Sequence, residues 1–254
     1  MINKNSTDLD MEKPGAFSAI QPIVSIVMPV FNEEFLLPEA IPQLYEALIS
    51  QEISCEILIC ENGSTDSTLT EACELADKFD RINVLTSNKA DYGAAIRSGI
   101  LAAKAPYVFV FDIDYYDVGF LERALTLLKR YDIVIASKLA PGADDKRSAL
   151  RRMITRGFSL TIKTLFNTSI SETHGMKAFR REAVEPVMKR TRSGKDLFDT
   201  ELIIRAERAG LRITEIPVTV EEKRPTRSSI LKRIPRTITG LVSLRYVLWR
   251  EGSS

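Results

Sequence analysis

Tyr107-Val108-Phe109-Val110-Phe111-Asp112-Ile113-Asp114 reads as a strand that is apolar without alternation and closes on two carboxylates. Continuous hydrophobicity marks a strand buried on both faces, as in a parallel sheet covered by helices on each side. Such sheets bind ligands outside the carboxyl ends of their strands, which is where Asp112 and Asp114 stand. Residues two apart share a face while the strand continues and splay around one ion where it stops. Hard divalent cations, Mg²⁺ or Mn²⁺, take carboxylate oxygens and keep phosphate oxygens as further ligands. A D-x-D pair alone is equally the polar end of a strand, so its surroundings decide. Asp117 begins the next helix.

Working outward, the chain alternates strand and helix signals. Ile23–Val30 is rich in β-branched residues and reads as the first strand; Leu37–Ser50 carries apolar residues at helical spacing. Glu56–Cys60 is a second strand, followed by a turn from which Ser64 or Asp66 caps a helix running to about Phe79. Ile82–Thr86, Tyr107–Phe111 and Ile133–Ser137 are further strands, with helices over Gly93–Lys104 and Val118–Lys129. Repeated βα units predict an α/β fold, a Rossmann-like, mostly parallel sheet with helices on both faces. The second half is less regular: a polar loop at Leu139–Lys146 with the composition of a lid, a helix over Ser148–Phe166, a short strand at His174–Phe179, a helix over Leu197–Ala209 ended by Gly210, and a last strand at Leu211–Val220.

Two more polar segments follow strands of this sheet. Glu61-Asn62-Gly63-Ser64-Thr65-Asp66 offers side-chain acceptors to a base or ribose beside a helix N-terminus that favours phosphate. Pro29-Val30-Phe31-Asn32-Glu33-Glu34 faces the same edge. Each alone is an ordinary capped turn or connection; jointly they are far more specific.

In their order and content these three motifs resemble those of the family 2 glycosyltransferases with the GT-A nucleotide-sugar fold, which have a P-x-x-N-E segment, a D-D-G-S-x-D-like turn and a D-x-D strand end. Asn88 to Gly99 is similar to the family's nucleotide-side loop and helix, with Gly93. In the second half, Glu172-Thr173-His174-Gly175-Met176-Lys177-Ala178-Phe179-Arg180-Arg181, then Phe198-Asp199-Thr200-Glu201-Leu202, then Glu215-Ile216-Pro217-Val218 resemble the dolichol-phosphate mannosyltransferase-like branch. The resemblance spans roughly Val24 to Ser229. The chain departs from the branch at Glu61-Asn62, where Asp-Asp is usual, at Tyr116, where Gln is usual, and at Ser171 or Glu172, where Asp is usual.

The resemblance implies inverting transfer from a nucleoside diphosphate sugar (a GDP- or UDP-sugar), with Mg²⁺ or Mn²⁺ held by Asp112 and Asp114 against the leaving diphosphate. Donor-side residues are then Pro29, Phe31, Asn32, Glu33, Glu61, Asn62, Ser64, Asp66 and Gly93. Acceptor-side residues are Arg151, Glu172, His174, Arg224 and Arg227. A polyprenyl phosphate acceptor is already anionic and needs cations to position it. A hydroxyl acceptor needs a general base, for which Asp199 is the first choice, ahead of Glu201 and Glu172. A non-catalytic nucleotide-sugar-binding module is the remaining alternative. A sugar nucleotidyltransferase is disfavoured, because no Gly-rich loop followed by Arg adjoins the first strand.

Three domains are expected: a mobile tail over residues 1–21, a GT-A domain over 22–222 and a basic amphipathic segment over 223–254. From Lys223 onward, cations including Arg236, Arg245 and Arg250 alternate with apolar residues and face one carboxylate, Glu251. Such a segment suits either an anionic membrane face or a helix packed on the core; a separate membrane subunit is a further partner. A net charge of +1 on 254 residues argues against nucleic acid as partner. Three cysteines without metal-type spacing and an N-terminus lacking an apolar leader point to a reducing, cytoplasmic setting, peripheral to the membrane. No run reaches the roughly 20 apolar residues of a spanning helix.

Overall fold

The structure, a computed structural model, describes residues 21–194, 197–221 and 230–252. Of the tail expected over 1–21 only Gln21 is described, and Arg224 and Arg227 lie outside the described residues.

The elements follow in the order β1 (Val24–Val30), α1 (Leu37–Ser50), β2 (Cys55–Asn62), α2 (Thr68–Lys78), β3 (Ile82–Ser87), α3 (Tyr92–Ala102), β4 (Tyr107–Val110), α4 (Val118–Leu127), β5 (Ile133–Ser137), β6 (Asp144–Asp145), α5 (Ala149–Phe166), β7 (Lys177–Arg180), α6 (Arg181–Arg190), α7 (Phe198–Arg208), β8 (Ile213–Pro217), β9 (Thr219–Val220) and α8 (Ile230–Gly252). Among the described residues seven strands form one sheet in the order β3-β2-β1-β4-β7-β5-β8. All pairs are parallel except those of β7, which runs antiparallel between β4 and β5, with Lys177 opposite both Val110 and Ile135.

The apolar runs explain the two-sided burial. Along β1, Ile26 and Met28 join one core layer with α1, α2 and α4, while Val27 joins the other with α3, α6 and α7. The one polar residue of that strand's interior, Ser25, is buried and donates to Glu56 Oε1 at 2.6 Å, satisfying a group that would otherwise destabilise the layer. Gly99 lets α3 approach β1 and β2: an added Cβ would stand 2.4 Å from Val27 Cγ1.

Several boundaries differ from the sequence expectation. Asp66 rather than Ser64 serves the start of α2, accepting from Thr68 N at 3.0 Å. Helix α3 begins at Tyr92 because Asp91 caps it, accepting from Ala94 N. The expected loop at Leu139–Lys146 contains β6, which pairs with β9. The last strand is broken after Pro217 into β8 and β9, since proline cannot continue a ladder on its N–H side. Helix α6 was not expected; Pro186 inside it masks its periodicity.

A third apolar cluster joins α5, α7 and α8 through Ile162, Phe166, Ile204, Leu241, Leu244 and Leu248. The amphipathic C-terminal helix therefore buries one stripe on the protein. Its opposite side leaves Ile238, Val242, Tyr246 and Trp249 exposed.

Candidate active site

The carboxyl ends of β1, β2 and β4 meet where the three motifs predicted an edge. The first two motifs are laced together. Asn32, held at a positive φ of 55°, donates its N–H to Ser64 Oγ at 3.0 Å and accepts from Thr65 N at 2.8 Å. Glu33 N–H donates to Thr68 Oγ1 and Glu34 N–H reaches Asp66 Oδ2. Pro29 lies inside β1 opposite Cys60. Asn32, Glu33, Ser64 and Asp66 thus hold one loop against the other. Glu61 is buried with both oxygens engaged, Oε1 by Ser64 N and Oε2 by the Thr86 hydroxyl. Gly93 sits in the first turn of α3 where a Cβ would meet Phe198 at 2.7 Å, so its smallness seats α3 on α7.

Asp112 and Asp114 bracket a tight turn closed by the Tyr115 N–H on the Asp112 carbonyl at 3.1 Å. Asp112 lines the cleft and Asp114 is exposed beside it. Burial pushes the Asp112 carboxyl up to about 6; the Lys177 ammonium opposes that rise, Asp114 and Asp199 add to it, and the Tyr92 hydroxyl, donating to Oδ1 at 3.3 Å, opposes it. Tyr116 turns away, its hydroxyl reaching the Ala40 carbonyl.

The second half supplies the facing wall. Lys177, 2% exposed, sits on β7 beneath the cleft and donates to the Gly175 carbonyl at 2.8 Å, with Asp199 Oδ1 3.1 Å away. Asp199, in the first turn of α7, is itself buried. Gly175 is required there: a Cβ would stand 1.9 Å from the Ala136 carbonyl oxygen. Glu172 is buried, lies 2.6 Å from Lys138 Nζ and accepts from His174 N. Burial pushes its carboxyl up, but Lys138 and His174 together hold it below the usual range. His174 pairs with Thr173 Oγ1 and receives the edge of Phe158.

These groups share a cavity of about 970 Å³. Of the residues expected from sequence, it brings together Phe31, Asn62, Asp112, Arg151, Glu172, His174 and Asp199. It adds Lys138 and Arg147, which carried no motif of their own, and Tyr92, which lies in the Asn88–Gly99 stretch but is not singled out there. Arg147 is tied to Asp145 by two hydrogen bonds. The remaining wall comes from Ala90, α5 (Ile154, Thr155, Gly157, Phe158, Thr161) and α8 (Thr237, Ile238, Leu241) and is apolar apart from its three threonines. Glu201 does not join: its carboxylate takes the Arg192 and Ser193 N–H groups and Arg205.

Comparison with known proteins places this geometry. Residues 25–188 match the model of glycosyl transferase family 2. The chain belongs to that family. This family 2 glycosyltransferase is 28% identical over 229 residues to the glycosyltransferase AglD of Haloferax volcanii, covering 87% of this chain and 37% of AglD. It is 28% identical over 218 residues to a dolichyl-phosphate beta-glucosyltransferase of Trichomonas vaginalis, covering 80% of this chain and 67% of that protein. The chain thus spans little more than a third of the first relative's length. These relatives agree with the dolichol-phosphate branch that the second-half motifs resemble. Among solved structures, glucosyl-3-phosphoglycerate synthase of Mycobacterium tuberculosis, in complex with Mn²⁺, UDP and glucosyl-3-phosphoglycerate, superposes with a TM-score of 0.64 at 18% identity, covering 91% of this chain and 81% of that one. The fold of the family 2 chain is the GT-A fold of glycosyltransferases.

Proposed function

We propose that this enzyme transfers a sugar from a GDP- or UDP-sugar to a polyprenyl phosphate at the cytoplasmic face of a membrane, with Mg²⁺ or Mn²⁺ held by Asp112 and Asp114. The observation that carries the reading is the composition of this cavity. Carboxylates stand at the sheet edge, Lys138, Arg147 and Arg151 stand beside them, and a wall from α5 and α8 that is apolar but for three threonines completes it. A molecule with an anionic head and a hydrocarbon body matches all three.

The donor set suits a hard ion. Two carboxylates bracket one turn, and the negative charge of Asp114 and Asp199 bears on Asp112. Among the described residues no group of three acidic, His or Cys ligands is assembled, so diphosphate oxygens or water would complete the shell. Bound there, the ion supplies Lewis-acid neutralisation of the departing diphosphate. The protein's own groups do the rest. Tyr92 orients Asp112. Lys138, Arg147 and Arg151 position the acceptor anion, whose oxygen bonds to the anomeric carbon as the carbon–diphosphate bond breaks with inversion. An acceptor that is already ionised needs no base, consistent with an Asp199 carboxylate committed to Lys177. The apolar wall excludes water, which suppresses hydrolysis of the donor.

Membrane contact rests on a second surface. Leu150, Met153 and Leu160 of α5 and Ile238, Val242, Tyr246 and Trp249 of α8 are exposed, as are Arg156, Arg245 and Arg250 on the same helices. No helix among the described residues is long and apolar enough to cross a bilayer, so the contact proposed is interfacial. The domain boundaries at 22–222 and 223–254 belong to the same proposal, with the last segment as docking element.

Radiolabelled sugar should pass from a nucleoside diphosphate sugar to a short polyprenyl phosphate and not to the matching neutral polyprenol. Label appearing only on hydroxyl acceptors sinks the acceptor assignment. With urea unfolding used to correct for the stability lost when Lys177 is left unpaired, the rate of the folded Asp199→Asn protein separates the same alternatives, since a hydroxyl acceptor requires a large loss and an anionic one does not. Vesicles of anionic lipid should retain the protein at low salt; failure removes the membrane contact.

A further inference from the structure

Glycine weakens a helix interior relative to alanine, so a glycine there calls for a reason. Gly93, Gly99 and Gly240 have one in the packing: a Cβ would stand 2.7 Å from Phe198, 2.4 Å from Val27 and 2.4 Å from Leu197. Gly157, in the middle of α5, has no such neighbour. Among the described residues nothing lies within 4 Å of the Cβ it lacks. Its backbone is ordinary helix, not the left-handed conformation of Gly63, Gly142 and Gly210.

Gly157 stands where the cleft opens. It lines the cleft, and residues three and four apart are its neighbours on the helix surface. On one side are Ile154 and Thr161, which line the cleft as well. On the other are Met153 and Leu160, both exposed. Gly157 is thus the point on α5 where the cleft wall passes into exposed apolar surface. Ile238 is the corresponding point on α8, since it lines the cleft and is also 53% exposed. The Thr161 hydroxyl donates to the Gly157 carbonyl at 2.9 Å, and the Thr155 hydroxyl accepts from Arg147 at 3.2 Å. The polar groups of these two threonines are therefore drawn to protein partners.

Volume supplies the need for an opening. About 970 Å³ is the size of a pocket that encloses a drug-sized ligand. It cannot hold a nucleoside diphosphate sugar and also enclose a chain of many isoprene units. With the acceptor phosphate held by Lys138, Arg147 and Arg151, the hydrocarbon has to leave across an apolar rim.

Resting on the polyprenyl phosphate reading above, we propose that Gly157 and Ile238 form the threshold over which the acceptor's hydrocarbon leaves the cleft, and that the missing side chain at Gly157 sets acceptor specificity by leaving chain length unrestricted. A large side chain at position 157 would confine the enzyme to acceptors short enough to end inside the cleft.

The test compares kcat/KM for undecaprenyl phosphate with that for citronellyl phosphate, a short isoprenoid phosphate, in the same detergent. The donor is the UDP- or GDP-sugar, from a panel of both, on which the wild type is fastest with Mn²⁺. Gly157→Leu should lower the long-to-short ratio of kcat/KM about 10-fold or more, the scale of a mismatch of a few carbons in an apolar pocket. Gly157→Ala should lower it less. Ile238→Trp, which narrows the same passage from α8, should also lower it. Thermal melts separate folding from specificity: both Gly157 variants should melt no lower than the wild type, because the site is open and glycine is a poor helix former. A lower melting temperature would mean that the protein itself occupies the space, and would overturn the proposal. So would an unchanged ratio, or equal losses on the two acceptors. A wild type active on citronellyl phosphate but not on undecaprenyl phosphate overturns the threshold alone. A wild type that transfers to neither phosphate removes the acceptor reading itself, and this proposal with it.

Discussion

The two halves of the cleft are stabilised by different chemistry. On the β1–β2 side, short side chains bond to backbone N–H groups of a neighbouring loop, as Ser64 and Asn32 do. On the β7–β5 side, buried charges face each other: Lys177 with Asp199 and Lys138 with Glu172. Side-chain-to-backbone bonds each contribute modestly and locally. Buried ion pairs contribute little net stability but are costly to break from one side. The donor half should therefore tolerate single polar changes that the acceptor half does not.

The largest effect expected separates chemistry from stability. Asp114 is exposed, so Asp114→Ala should leave urea unfolding nearly unchanged and lower the transfer rate by about 10²-fold or more, as removal of charge-stabilising groups at a leaving group does. A full-rate Asp114→Ala enzyme would end the metal-site reading. Next comes Lys177→Met, which strands the buried Asp199 carboxylate and should destabilise by about 3–5 kcal/mol. Adding Asp199→Leu to it should recover most of that loss in a double-mutant cycle. A single-variant loss no larger than that of a donor-side hydroxyl would erase the contrast.

A third prediction sets two carboxylates against each other by pH. The Asp112 carboxyl is raised from 3.8 to about 6. The native state therefore binds the extra proton, and stability falls as pH rises between those values. Asp112→Asn should raise stability at neutral pH by up to about 3 kcal/mol, with no gain below pH 3.8. Asp132 behaves oppositely. Hydrogen bonds from Arg212, together with Arg180 nearby, hold its carboxyl below 3.8. Its contribution is present above 3.8 and is lost as pH falls through the lowered value. Melts of the two Asn variants across pH 3 to 7 should show these opposite trends. The smallest effect is Ser64→Ala, which removes the acceptor for Asn32 N–H and should cost about 1 kcal/mol.

The same contrast explains what could be read in the sequence. Continuous apolar runs at Ile26–Val30 and Tyr107–Phe111, each followed by polar residues, made the parallel half and its ligand edge legible, because burial on both faces leaves an unbroken pattern. The antiparallel direction of β7 was not legible: four residues, one a buried lysine, carry no orientation signal. Lys138 and Arg147 escaped notice for a similar reason. Each lies next to a loop, and only the fold of β6 against β9 and the start of α5 brings them to the cleft. Glu61 and Asn62 were legible as polar turn residues, but which of their atoms remain available depends on Thr86 and Asp91, 25 and 29 residues away in sequence. The amphipathic pattern after Pro235 was visible, while its division into a stripe packed on α5 and α7 and a stripe left exposed needed the tertiary partners.

The placement of β7 also bears on biosynthesis. By the time a ribosome has released residue 140, β1 to β5 exist, but β4 and β5 have no strand between them and each presents an open backbone edge. Only after Lys177–Arg180 emerges can the sheet close. Splitting the polypeptide in the α5 region should yield fragments that aggregate singly and assemble when co-expressed.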